Sequence, residues 1–178
     1  MGKISSLIER ISALQRSAMR KYALEHNLQM VHLEVLTYLE SCNRYSDTTQ
    51  ALSEYLGQTK GSISQTVNFL ENDGFIKRVQ DLKDKRVFHL HLLPKAQKLV
   101  EGFDEQFWGK FSSENITEKS LEETLNNVQK QNGLKSFGIC STCRYNNNPT
   151  GKKFVCGLTL ESLSAEDIKL RCREHEAS

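Results

Sequence analysis

Mainly α with a small β-wing is the fold class this sequence predicts: a winged helix-turn-helix unit, a helical dimerisation region and a small cysteine-rich C-terminal module. Three observations predict it. Apolar residues recur at helical spacing through most of the 178 residues, of which 38% are hydrophobic and only two are proline. Two short apolar runs flank one charged turn near residue 83, the pattern of a hairpin. Four of the five cysteines fall in the last 45 residues. The implied boundaries are 1–28 for an N-terminal dimerisation helix, 29–93 for the winged unit, 94–133 for dimerisation helices and 134–178 for a cysteine-rich metal-binding tail.

Composition narrows the function classes. The length suits one good core, or one domain with a small appendage. A formal net charge of +2 does not announce nucleic acid, so any such argument rests on local charge. No run of 18 apolar residues and no apolar leader is present, so the chain is expected in the cytoplasm and away from membranes. Five cysteines in that compartment favour metal or redox chemistry over a disulfide framework.

The first element is a helix to about residue 25, with Ile4, Leu7, Ile8, Ile11, Leu14, Ala18 and Tyr22 on one apolar stripe. It cannot bury that stripe alone. Residues 28–39 form a second helix, apolar nearly all round through Val31, Leu33, Val35, Leu36 and Leu39, as a core helix is. His32 on it reads as a hydrogen-bonded structural residue. Cys42, with only Arg44 nearby to lower its pKa, reads as buried or incidental, although a peroxide-sensing thiol is the alternative.

Residues 48–92 carry the recognition signal. Leu52 and Leu56, four apart, share a helix face that ends at Gly57, where the left-handed conformation is free of steric cost. Thr59 can cap the next helix. In that helix, residues 60–72, Ile63, Val67 and Leu70 point inward, while Lys60, Ser62, Ser64, Gln65 and Asn68 make an outer face without one acid. About 20 Å long at 1.5 Å per residue, it can lie in a major groove and offer donors and acceptors to base edges. Phe75, Ile76 and Val79, then Val87, Phe88, Leu90 and Leu92, form two strands around a tip where five basic residues face two acids. Lys83, Lys85 and Arg86 lie on that tip, within reach of phosphate or a minor groove. His89 and His91 share one face of the second strand and, lacking a third ligand, read as polar-face residues rather than a metal pair.

The stretch ALSEYLGQTKGSISQTVNFLENDGFIKR, followed by Asp84 and Arg86 in DKR, resembles the multiple-antibiotic-resistance regulator (MarR) family of winged-helix repressors. The likeness runs from about residue 4 to 131. It implies that Asp84 fixes the wing loop and sends Arg86 to DNA, and that the first helix packs with C-terminal helices of a partner subunit. Thr59, Lys60, Ser62, Ser64, Gln65, Asn68, Lys83, Asp84, Lys85 and Arg86 are thus the expected DNA-binding set. Two departures lie just past the wing: the family's Leu-Thr is Leu92-Leu93, and a common Gly is Ala96.

Pro94 can open the following helix, where Leu99, Val100, Phe103, Phe107, Trp108 and Phe111 recur at helical spacing; this aromatic stripe is expected to be the dimer seam. A second amphipathic helix, 117–131, carries Leu121, Leu125 and Val128. Between residues 101 and 130 seven acids face three lysines, which keeps these helices off DNA.

The tail holds Cys140 and Cys143 in a C-x2-C turn, Cys156 after 12 intervening residues, Cys172 after 15 more and His175 close behind as an alternative ligand. Asn146 and Pro149 mark a polar loop, and Ser164 with Asp167 opens a short helix. Four thiolates repel one another unless a cation sits between them; zinc is expected, an iron–sulfur cluster is the alternative cofactor, and disulfides or free thiols are the non-metal reading. Structural zinc supplies roughly 10–16 kcal/mol to so small a segment. No nucleophile–base pair is suggested by spacing, so no enzyme is expected. The sequence therefore points to a homodimeric transcriptional regulator, a repressor on a palindromic double-stranded operator, tuned by a small-molecule effector, metal or redox state. A metal-dependent protein-interaction or scaffold module that uses the winged helix for protein contacts is the alternative.

Overall fold

The computed structural model describes residues 2–109, 117–148 and 153–177. Phe111 and Pro149, together with Lys110 and Glu114 from the charge count over residues 101–130, lie outside the described residues. Six α-helices occur in order among the described residues: α1 (Lys3–Glu25), α2 (Met30–Ser41), α3 (Thr49–Leu56), α4 (Lys60–Asn72), α5 (Pro94–Phe107) and α6 (Glu118–Gln131). Strands β1 (Ile76–Gln80) and β2 (Phe88–Leu92) form an antiparallel hairpin between α4 and α5, pairing Ile76 with Leu92 and Gln80 with Phe88. The result is a mostly helical winged helix with a small antiparallel sheet.

Helix α2 is the hub, because His32, Leu33, Val35, Leu36, Tyr38 and Leu39 bury most of its surface and leave only a narrow polar strip that includes Glu40. It packs against α1, α3, α4, α5 and β2. Leu33, Val35 and Leu36 from α2 meet Leu52, Ile63, Val67 and Leu70 from the two following helices in one core. His32 is buried there, stacked on Phe69 at 4.2 Å, and its Nδ1 accepts the Gln29 N–H. Cys42 is buried too, and that burial pushes its thiol up to about 12, far from thiolate chemistry at neutral pH.

The dimer seam is where the structure departs from expectation. Phe103 is 2% exposed, packed between Tyr22 and Phe107 inside its own chain, so it belongs to the core, whereas Phe107 is half-buried and Trp108 is exposed. What lies bare are Ile4, Leu7, Ile8, Ile11 and Leu14 on α1 and Leu121, Leu125 and Val128 on α6. Periodicity identified apolar faces correctly, but it carries no information on which neighbour covers each. Leu93, where the family has Thr, leaves α5 without a side-chain cap; Pro94 in the first turn supplies the pre-set φ instead.

The tail folds against the winged helix. Strands β3 (Asn146–Asn147), β4 (Phe154–Cys156) and β5 (Ser162–Leu163) make a small antiparallel sheet, flanked by 3-10 turns at Cys140–Thr142 and Asp167–Lys169. The second turn stands where a short helix was expected from Ser164 and Asp167. Phe137 enters the main core beside Tyr38 and Tyr55, with ring centroids at 6.2 and 5.2 Å. Gly138 lets the backbone pass the His175 ring, since a Cβ there would come within 2.5 Å of it.

Candidate nucleic-acid interface

The recognition helix is set by its ends. Gly57 closes α3 at φ +63°, and Thr59 caps α4 by accepting the Ser62 N–H at 3.2 Å. Ile63, Val67 and Leu70 then bury completely, so the opposite face is forced outward. Lys60, Ser64, Gln65 and Asn68 are exposed along it. Ser62 is half-buried, and its hydroxyl donates to Gln58 Oε1 at 3.1 Å, so it braces the turn more than it faces a groove. Asn68 Oδ1 accepts from Arg78, a wing residue that also pairs with Glu71 at 3.2 Å. Arg78 thus ties β1 to α4, a role that local sequence could not reveal.

The wing tip is built by two carboxylates. Asp81 Oδ1 accepts the N–H groups of Lys83 and Asp84 and shapes the turn. Asp84 takes the Arg86 guanidinium through two hydrogen bonds of 3.0 Å, from Nε and from Nη2, and accepts the Arg86 N–H as well. Those bonds from Arg86 hold the Asp84 carboxyl below its ordinary range. The Arg86 side chain nevertheless remains 90% exposed, so the fork aims the guanidinium without hiding it. Lys85 is exposed, and its carbonyl accepts from Gln80 Nε2 at 2.7 Å. Lys83 is instead engaged by Glu161 of the tail at 3.0 Å.

Under the wing, His89 lies between Asp47 (2.6 Å from Nδ1) and Asp81 (3.2 Å from Nε2), while His91 Nε2 is 3.7 Å from Asp47. Burial opposes charge on His89, but the hydrogen bonds and negative charge of Asp47 and Asp81 outweigh it and raise its pKa. Burial pushes the Asp47 carboxyl up, against those same histidines. The two histidines share one face, as their spacing implied, and both approach Asp47, a residue more than 40 positions away in the chain.

Helix α4, the wing and the start of α3 enclose a concave groove of about 610 Å³, lined by Thr48, Thr49, Gln50, Ser64, Asn68, Arg78 and Arg86 among others. Thr48, Thr49 and Gln50, at the first turn of α3 beside α4, line this groove in addition to the residues expected there.

With that geometry in hand, the comparisons are direct. Residues 26–87 match the MarR family. The fold is that of MarR-type regulators of known structure. A Staphylococcus aureus MepR variant shares 22% identity at a TM-score of 0.59, covering 74% of this chain and 96% of that one. Another S. aureus MepR variant, bound to an oligodeoxyribonucleotide, gives 21%, 0.51, 75% and 98%. CouR from Rhodococcus jostii, bound to p-coumaroyl-CoA, gives 18%, 0.52, 72% and 91%. No curated protein sequence matches the chain. Residue by residue, the MarR match spans the core helix, the recognition helix and the wing down to Arg86, and stops short of the tail.

The predicted metal ligands come from three chain segments. Ile139 pairs antiparallel with Arg171, so Cys140 and Cys172 flank that pair at its two ends; Cys140 N–H donates to Leu170 O and Cys172 N–H to Gly138 O. Cys143 closes its turn onto Cys140 O, and Cys156 lies across from Asn146, three residues on. Burial, then the charges of Cys172, Cys143 and Cys156, push the Cys140 thiol up to about 11. All five cysteines are free thiols. Among the described residues no group of three or more His, Cys, Asp or Glu side chains is placed where it could hold a metal ion. His175 is buried with both ring nitrogens engaged, Nδ1 by Ser136 Oγ at 2.8 Å and Nε2 by Thr142 Oγ1 at 3.0 Å, which makes it a brace of the module.

Proposed function

We propose that the protein is a sequence-specific DNA-binding transcriptional regulator, a repressor that acts as a homodimer and not as an enzyme. The observation that carries this reading is the acid-free outer face of α4 beside an Arg86 fork that Asp84 aims into solvent. Such a face reads base edges, while the forked arginine takes a phosphate or the minor groove. The fold it shares with a MepR form bound to an oligodeoxyribonucleotide supports the same reading. The bare stripes of α1 and α6 support the dimer, since apolar faces of this length are covered in solution. Two such copies place their recognition helices about 34 Å apart, one DNA turn, on a palindromic site.

Effector control belongs to the same proposal. A cleft of about 490 Å³ between α1, α4 and α5 is lined by Tyr22, Phe69 and Phe75 with Lys98 and the Lys95–Asp73 ion pair, a mixed aromatic and polar lining suited to a small organic effector. It lies where a ligand would alter the angle between the helical region and the reader.

A gel-shift titration on the protein's own promoter region tests the reading. Wild type is expected to bind specifically. Arg86→Ala should bind all sites more weakly and lower the slope of log K against log salt by about 0.9, one phosphate's worth. Unchanged affinity and slope would remove Arg86 from the interface.

A further inference from the structure

The tail lies beyond the MarR match, which ends at residue 87, and several contacts join it to the reader. Arg173 makes a two-pronged ion pair with Glu54 of α3, both bonds 2.7 Å, and its N–H donates to Ser46 Oγ. Those bonds from Arg173 hold the Glu54 carboxyl down at about 2. The Arg171 backbone donates to Ser41 O and accepts the Asn43 N–H at 2.8 Å, extending the loop after α2. Glu161 accepts from the Tyr45 hydroxyl at 2.7 Å and from wing Lys83.

Two of the cysteines are wired into these joints. Cys172 is flanked by Arg171 and Arg173, and the buried Asn43 and Ser46 side chains lie within hydrogen-bond reach of its sulfur, together with the Glu174 N–H. Such donors are what a metal-bound thiolate is given by its surroundings. Cys156 donates its N–H to the carbonyl of Glu161, the residue whose carboxylate holds Lys83. The tail also has little else to hold it: among its described residues only Phe137, Cys140, Cys143, Leu163 and His175 are buried.

We propose that Cys140, Cys143, Cys156 and Cys172 form one site for a thiophilic divalent cation, zinc by its chemistry, and that loading this site tightens DNA binding by ordering the 42–47 loop and the start of α3. The chemistry of the donor set fits: four soft sulfurs, supplied by a C-x2-C turn, a strand end and a paired extended segment, are the ligands of a closed zinc site once those segments draw together. Binding releases the thiol protons to solvent and draws each sulfur to about 2.3 Å from the ion. That contraction moves the segments bearing Cys172 and Cys156, and through Asn43, Ser46 and Glu161 it reaches the reader. The second half of the proposal rests on the DNA-binding reading; the first half does not.

Titration of the metal-free full-length protein with Co(II) under anaerobic conditions tests the site. One equivalent per chain should give tetrahedral d–d bands and sulfur charge-transfer absorption, displaced by Zn(II). Cys156→Ser and Cys172→Ser should each weaken the bands and the affinity at least tenfold, with far-ultraviolet circular dichroism reporting whether helices α1–α6 remain folded. No thiolate absorption, or unchanged absorption in both variants, overturns the site. Stoichiometric iron and sulfide in anaerobically purified protein overturns it in favour of a cluster. For the coupling, operator affinity of wild type should rise at least fivefold on Zn(II) loading, and the rise should shrink in Glu161→Gln, which keeps all four thiols. Equal affinity with and without metal overturns the coupling alone. A protein that takes up Co(II) as described yet binds no promoter DNA in either state overturns the DNA-binding reading and leaves the site standing.

Discussion

At the scale of single residues, the interface divides into groups already committed to holding its shape and groups left free to read. Asn68 is bonded to Arg78 and Ser62 to Gln58, whereas Gln65 is exposed on the same face with no hydrogen bond recorded for its side chain. Gln65→Ala should therefore flatten sequence preference at one base pair, by about 1–3 kcal/mol of discrimination, with little change in non-specific affinity; a binding-site selection experiment measures both. Uniform weakening across sites would make Gln65 a phosphate contact. His89 carries a different expectation. Its pKa is raised in the folded chain, so the protonated ring between Asp47 and Asp81 adds stability that is full below about 6.5 and is lost as pH rises through its higher folded value. Wild type should thus lose more stability between pH 6 and 8 than His89→Gln does, as read by urea denaturation. Parallel curves would show that His89 stays neutral.

At the scale of elements, helix ends decide what can be read from sequence. Helix α4 runs from Lys60 to Asn72 as its local signals implied, because the Thr59 cap and the Asn72-Asp73-Gly74 stop act within a few residues of the helix itself. Removing that cap in Thr59→Ala should cost about 1 kcal/mol in denaturant unfolding, and a change below a few tenths would show that the Ser62 N–H finds another acceptor. The wing was legible for the same reason, its strands alternating about a turn whose carboxylates bond to neighbours two and three residues away. Partnerships across the chain were not legible. Nothing in the order of residues says that Phe103 meets Tyr22, that Glu54 meets Arg173 across 119 positions, or that Glu161 takes Lys83 from the DNA-facing set. The sequence reading placed the cysteines in one module, but it treated that module as an appendage; the structure brings it against the reader.

At the scale of the whole molecule, two exposed apolar stripes remain, on α1 and on α6, at opposite ends of the MarR-like portion of the chain. Leu125 on α6 is about half exposed and lies outside the main core, so it is available to meet a second copy. Leu125→Asp should convert a dimer to a monomer in sedimentation at micromolar concentration and weaken operator binding far more than half-site binding. A variant that remains dimeric would confine the seam to α1.

The short segment around Arg171 has one more consequence. Its backbone bridges Cys42 on one side and Ile139 on the other, so a single extended strip is shared by two bodies that look separate in sequence. Shared strips of this kind unfold with both owners. The tail and the reader should therefore melt as one cooperative unit, and the Asn43 amide, deep within the helical part, should exchange its hydrogen only as often as the last ten residues of the chain let go.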